Sequence, residues 1–224
     1  MNGWHASVDR KHSSRTRRIV LALSATLAAL TLVVGSQQAA VAYPPTPPSA
    51  SQASSMLSGL TVATPGSLDG YDRALFPHWI IQSGTCDTRE TVLKRDGTGV
   101  TVDSSCHPTA GDWYSVYDAV WVSDSSDIDI DHIVPLAEAW RSGASGWTTA
   151  HRQAFANDLT IAQLIAVSAS SNRSKGDSDP ADWTPPNQNT WCIYAREWIW
   201  VKSTYALKVD SAEKSALQSL LGTC

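Results

Sequence analysis

Within this 224-residue chain, one stretch brings together residue types that can do chemistry: Asp129-Ile130-Asp131-His132-Ile133-Val134-Pro135-Leu136. Alternating Asp and Ile fits a short strand with two carboxylates on one face and two isoleucines on the other. His132 follows directly, so it points away from Asp131 unless the strand bends there. Two neighbouring acids desolvate badly without a cation, and a neutral imidazole can take a proton near physiological pH. A second stretch follows, Ser170-Ser171-Asn172-Arg173-Ser174-Lys175-Gly176-Asp177. Asn172 and Lys175 are three apart and share one side of a helix start.

The elements around these stretches set their order in space. Leu164-Ile165-Ala166-Val167 reads as a buried strand, so the order is Asp-His strand, excursion, second strand, short helix with Asn-x-x-Lys. Glu138 and His151 fall on helical faces of the excursion and read as structural. Residues 89–102 read as a strand, an Asp96-Gly97 turn and a second strand at Val100–Val102. A hairpin is expected around Trp113–Val122, and Tyr71–Ile81 suits an amphipathic helix or turn carrying Phe76 and Trp79. The C-terminal third reads as helical. Asn189 caps a helix from about Thr190 to Leu207, and Asp210-Ser211-Ala212-Glu213 resembles a capping box that opens a last helix through Leu221.

The N-terminus carries a separate signal. Arg10, Lys11, Arg15, Arg17 and Arg18 precede an apolar run from Ile19 to Val34, and Ala40-Val41-Ala42 supplies a small-residue cleavage site. Residues 1–42 are therefore expected to be a secretory signal peptide cut after Ala42, which leaves a secreted protein with no stable membrane association. Residues 43–56, rich in Pro and Ser, read as an exposed linker, and residues 57–224 as one domain. The whole chain has 17 Lys+Arg and 21 Asp+Glu, a net charge of −4; without residues 1–42 it has 12 against 20, a net charge of −8. That charge argues against a sequence-blind nucleic-acid coat, so any polyanion binding must be local and metal-assisted. Cys86, Cys106, Cys192 and Cys224 all lie in the exported part and read as two disulfides. Of the three connectivities, Cys86–Cys106 with Cys192–Cys224 is favoured, because the second bond staples the last residue.

Asp131-His132-Ile133-x-Pro135 followed by Asn172-x-x-Lys175-Gly176 resembles the HNH (His-Me finger, ββα-metal) endonucleases. The resemblance is to the secreted branch related to the C-terminal domain of GmrSD-type restriction enzymes. Cys86-Asp87-Thr88-Arg89, the run Ser168 to Asp177 and Asp179-Pro180-Ala181-Asp182-Trp183 extend it over most of residues 57–224. It implies an α+β, single disulfide-stapled domain with an embedded ββα-metal motif, core 127–183, and a helical C-terminal third. It also implies a phosphodiester hydrolase acting on DNA, with RNA as an alternative substrate.

Such hydrolysis needs an activated water, charge neutralisation on the phosphate and help for the leaving oxygen. His132 is the general-base candidate. A hard divalent cation, Mg²⁺ first and Mn²⁺ or Zn²⁺ as alternatives, bridges phosphate and leaving oxygen in such reactions. By the resemblance, Asp131 and Asn172 are its ligands, and Arg89, Arg173 and Lys175 are candidates for the phosphate oxygens. The central asparagine of the pattern, which braces the histidine loop, is either Asn157 or a position closer to Gln163. Cys-x-x-Cys pairs found around this helix in many such enzymes are replaced by Ser168 and Ser171, so no zinc knuckle is expected. The competing class is a disulfide-stapled extracellular module that binds cell-wall polymers through exposed tryptophans. A glycosidase is disfavoured, because the acids cluster in one strand. Oligomeric state is not legible.

Overall fold

The computed structural model describes residues 44–224 together with Met1, so the expected signal peptide lies outside the described residues apart from Met1. In chain order the elements are α1 (Ala50–Gly59), β1 (Ile81–Ser83), β2 (Cys86–Asp87), α2 (Thr88–Asp96), β3 (Gly97–Val102), β4 (Pro108–Ser115) and β5 (Val120–Val122). They continue with β6 (Ile128–His132), α3 (Leu136–Ser142), α4 (Thr149–Ala156), β7 (Leu164–Ser168), α5 (Ala169–Lys175), α6 (Trp191–Thr204) and α7 (Ser211–Leu221). The strands form three antiparallel groups, β1–β2, β3–β4–β5 and β6–β7. The fold is mixed α and β, stapled by disulfides, with a helical C-terminal third.

Three expectations are corrected. Residues 50–56 lie within the expected linker but belong to α1. Ser49 and Gln52 make a reciprocal capping box, Ala53 and Leu57 are buried four apart, and Arg196 donates to the carbonyls of Pro47 and Pro48. Composition suggested solvated polyproline, whereas the capping chemistry and apolar spacing decide the structure. Residues 89–95, expected as a strand, belong to α2, which starts at a second capping box between Asp87 and Glu90 and buries Val92 and Leu93. Gly97 is not at a turn. A Cβ there would collide with the Trp113 indole, which donates through Nε1 to Leu93 O at 2.8 Å. Between Tyr71 and Ile81 the helical content is one 3-10 turn, Arg73–Leu75.

The expected Trp113–Val122 hairpin forms, with Trp113 opposite Val122 and Ser115 opposite Val120. Asp210 caps α7 by accepting from Ala212 and Glu213 amides, but the Glu213 carboxylate does not reach back as a capping box requires. It is buried instead, accepting from Lys202 and from Trp198 Nε1. The favoured disulfide pairing is the one present: Cys86–Cys106 ties β2 to the segment before β4, and Cys192–Cys224 ties α6 to the last residue.

Two cores meet at the β6–β7 pair. Ile128 and Ile130 of β6, with Leu164 and Ala166 of β7, pack against Val92 and Leu93 of α2 and Trp113 of β4. On the other face, Ile165 and Val167 join the larger core that contains Trp198, Tyr194 and Phe155. β7 is therefore covered on both faces, which explains its unbroken apolar run.

Candidate functional site

The register of β6 on β7 pairs Asp129 with Val167, Asp131 with Ile165 and His132 with Leu164. Period-2 alternation then sends both carboxylates to the face covered by α5 and sends His132 to the other face. The pair followed by α5 is a ββα arrangement; β1, β2 and α2 form a second, smaller one. α5 starts at Ser168, whose hydroxyl accepts from the Ser171 amide, and stops at Gly176, which has φ +54°. The Ser168 and Ser171 hydroxyls also both donate to Asp118 Oδ2, at 2.6 and 2.8 Å. These bonds tie the turn after β4 to the start of α5 with hydroxyls and a carboxylate.

Asp131 is buried, and hydrogen-bond donors engage only one of its oxygens. Oδ2 accepts from Lys175 Nζ at 2.5 Å and from the Tyr117 hydroxyl at 2.6 Å. Lys175 is itself fully enclosed, and its other two protons go to the carbonyls of His132 and Ile133, at 2.8 and 3.0 Å. The lysine therefore fixes the end of β6. It does not present its charge to a phosphate, as the sequence reading expected. Burial pushes the Asp131 carboxyl up, against the opposing pull of the Lys175 ammonium. Burial likewise lowers the lysine.

His132 is 4% exposed. Its Nε2 lies 3.0 Å from Ala156 O at the end of α4. A carbonyl can only accept, so Nε2 carries the ring proton and Nδ1 keeps its lone pair. Burial, aided by the Arg73, His78 and Lys175 charges, holds the ring down to about 3, so it is neutral at physiological pH. One ring face is covered by Trp79, with centroids 5.6 Å apart and planes at 25°.

The two candidates for the bracing position turn out to have separate tasks. Gln163 is fully buried, and its side chain both accepts from Val134 N and donates to Val134 O, at 3.2 and 3.0 Å. With Ile133 N donating to Gln163 O, it braces the backbone that follows His132. Asn157 instead grips the segment that carries Trp79. It accepts from Ile80 N at 3.2 Å and from Thr88 Oγ1 at 2.7 Å, and it donates to Pro77 O at 2.8 Å. Trp79 sits inside that grip at φ +57°, a conformation that needs support in a non-glycine residue.

A pocket of about 190 Å³ collects the rest. Asp131, His132, Asn172, Arg73, Arg173 and Asp177 are among its lining residues. Asn172 Nδ2 donates to Asp129 Oδ2 at 3.0 Å, and Arg173 Nε lies 3.7 Å from the same oxygen. Arg89 is elsewhere: its guanidinium donates to the carbonyls of Ser125 and Ile128 and braces the start of β6. Sequence reasoning missed Arg73, Tyr117 and Trp79. Each lies upstream of the motif with no spacing that links it to His132, and Trp79 was read only as an apolar residue of the Tyr71–Ile81 segment.

The donor atoms suit a hard cation. Asp131 Oδ1 and Asn172 Oδ1 are the oxygens that the hydrogen bonds above leave free, and both residues line the pocket. Among the described residues no group of three His, Cys, Asp or Glu side chains converges as a metal site. Two oxygen donors would suit a hard divalent cation rather than a closed structural zinc site.

Comparison with known proteins places the chain in a family. Residues 91–220 match the family described as the C-terminal domain of GmrSD restriction endonucleases. A protein of Arthroderma benhamiae, described as an uncharacterized secreted protein, is 58% identical over 200 residues, covering 89% of this chain and 97% of the relative. No solved structure matches. The chain belongs to the GmrSD C-terminal domain family, and the matched span contains every pocket residue named above except Arg73.

Proposed function

We propose that this protein is a secreted, divalent-metal-dependent HNH-type endonuclease that hydrolyses phosphodiester bonds of DNA, with RNA as the alternative substrate. The observation that carries the reading is that Asp131, His132 and Asn172 all line one pocket beside a ββα arrangement. Membership of a family named for restriction endonucleases supports the reaction class. The leader-like N-terminus, the two disulfides and the printed description of the relative support export.

In this reading Nδ1 of His132 takes the proton of the attacking water, while Nε2 stays tied to Ala156 O. An anionic phosphate beside the ring raises its affinity for that proton, which offsets the low basicity imposed by burial. Asp131 Oδ1 and Asn172 Oδ1 would hold the cation, which would supply charge stabilisation for the phosphate and the leaving oxygen. Arg73 and Arg173, the guanidiniums that line the pocket, hold the phosphate oxygens. Lys175 and Tyr117 orient Asp131 by engaging its other oxygen. The test is digestion of plasmid and single-stranded RNA with Mg²⁺, Mn²⁺, Zn²⁺ or EDTA. Cleavage that EDTA stops is expected; cleavage that persists in EDTA would refute the metal requirement.

A further inference from the structure

We propose that the groove between β5 and the start of α5 binds an unpaired base of the substrate strand, with the Trp121 indole as its stacking platform. The inference rests on the nuclease reading and names the form of nucleic acid that the site accepts. The groove has a volume of about 610 Å³ and is lined by Val120, Trp121, Asp127, Ser170 and Arg173, among others. Arg173 also lines the pocket that holds His132 and Asn172, so the groove and the candidate site adjoin at this residue.

Trp121 is 57% exposed, and it is the one aromatic among the strongly exposed large hydrophobic side chains of the described residues. Val120, the preceding residue of β5, is 41% exposed and also lines the groove. Nothing in the fold requires an indole there. It is nonetheless propped in place by Tyr114, its partner across the β4–β5 register, with ring centroids 5.3 Å apart. A supported aromatic face left open to solvent is what base stacking uses, and every base offers a π-face to it.

Charge selects which part of a nucleotide enters. Asp124 and Asp127 line the groove and repel a phosphate, whereas a carboxylate accepts hydrogen bonds from the N–H groups on base edges. Arg173 stands on the side facing the catalytic pocket, where the phosphate belongs. The arrangement therefore seats a base in the groove while the adjacent backbone runs to the arginine. A base within a duplex is already stacked and paired and cannot reach Trp121 unless it is extruded.

The test uses the disulfide-bonded protein carrying His132→Ala, which keeps oligonucleotides intact, and measures binding by fluorescence anisotropy. The probes are a labelled single-stranded DNA oligonucleotide, an abasic strand of the same length and the corresponding duplex. The single strand is expected to bind more tightly than the abasic strand. Adding Trp121→Ala should weaken the single strand about 10-fold, leave the abasic strand unchanged, and be largely restored by Trp121→Phe. Equal binding of all three probes, or an equal loss on the single and abasic strands, would overturn the inference while a cleaving wild type keeps the nuclease reading. If the wild type cleaves nothing and no probe binds, both readings fall. Trp121-dependent binding of an uncharged polysaccharide, with no oligonucleotide bound, would assign the groove to sugars instead.

Discussion

The Trp79 indole lies against the His132 imidazole, with centroids 5.6 Å apart and planes at 25°. Asn157 holds the backbone on both sides of Trp79, through Pro77 O and Ile80 N. The candidate base is therefore confined by a ring that is itself held in a left-handed conformation. A base whose ring can tilt loses alignment with the water it activates, and misplacement of this kind lowers rate more than binding. Trp79→Ala should reduce kcat about 10-fold with KM nearly unchanged, and Trp79→Phe should recover most of it. Steady-state kinetics on a plasmid substrate checks this; a change confined to KM would argue against a positioning role.

Lys175 carries a different weight. Its ammonium is completely buried and neutralises Asp131 while satisfying two backbone carbonyls. Lys175→Met leaves a buried carboxylate and two carbonyls without their donor, so a loss of about 3–5 kcal/mol is expected. Urea denaturation reads it. A loss under about 1 kcal/mol would mean the lysine is not held as described.

The two disulfides close loops with separations of 20 and 32 residues. On the chain-entropy estimate each contributes about 3–4 kcal/mol. Reduction should lower the thermal midpoint in two separable steps when the Cys86/Cys106 and Cys192/Cys224 pairs are removed individually as serine variants. Free thiols in the native protein would contradict the pairing.

Glu197 gives the pH dependence. It is buried in α6 with Oε1 unpartnered among the described residues, and burial pushes its carboxyl up to about 8 from an ordinary value of 4.5. In that window the unfolded chain is ionised while the folded protein keeps the proton. The contribution is therefore fully present below about pH 4.5 and is lost as pH rises through about 8. Glu197→Gln should flatten this decline, gaining a few kcal/mol over wild type at pH 9. Urea midpoints at pH 5 and 9 test it; parallel pH dependence in the two proteins would contradict it.

How far the sequence revealed this molecule depended on whether a signal was local. The alternation in 128–132, the apolar run in 164–167 and the Asn-x-x-Lys spacing are local, and all three elements stand where they were expected. The disulfide partners followed from sequence proximity. Asp87-x-x-Glu90 and Ser49-x-x-Gln52 were equally local capping signals, yet β-like residues in one case and Pro/Ser composition in the other outweighed them. Within the site, the environment of each group was hidden. Lys175 could not be recognised as buried from its charge, and Tyr117, Arg73 and Trp79 reach Asp131 and His132 only through the tertiary fold.

The central claim is that His132 is the base of a metal-dependent phosphodiester cleavage. It is tested most directly by plasmid digestion with Mg²⁺, comparing wild type with His132→Ala at matched disulfide content and thermal midpoint. Cleavage by wild type, none with EDTA, and a loss of about 10²–10⁴-fold in the variant, the range for removing a general base, are expected. Undiminished cleavage by His132→Ala would contradict it.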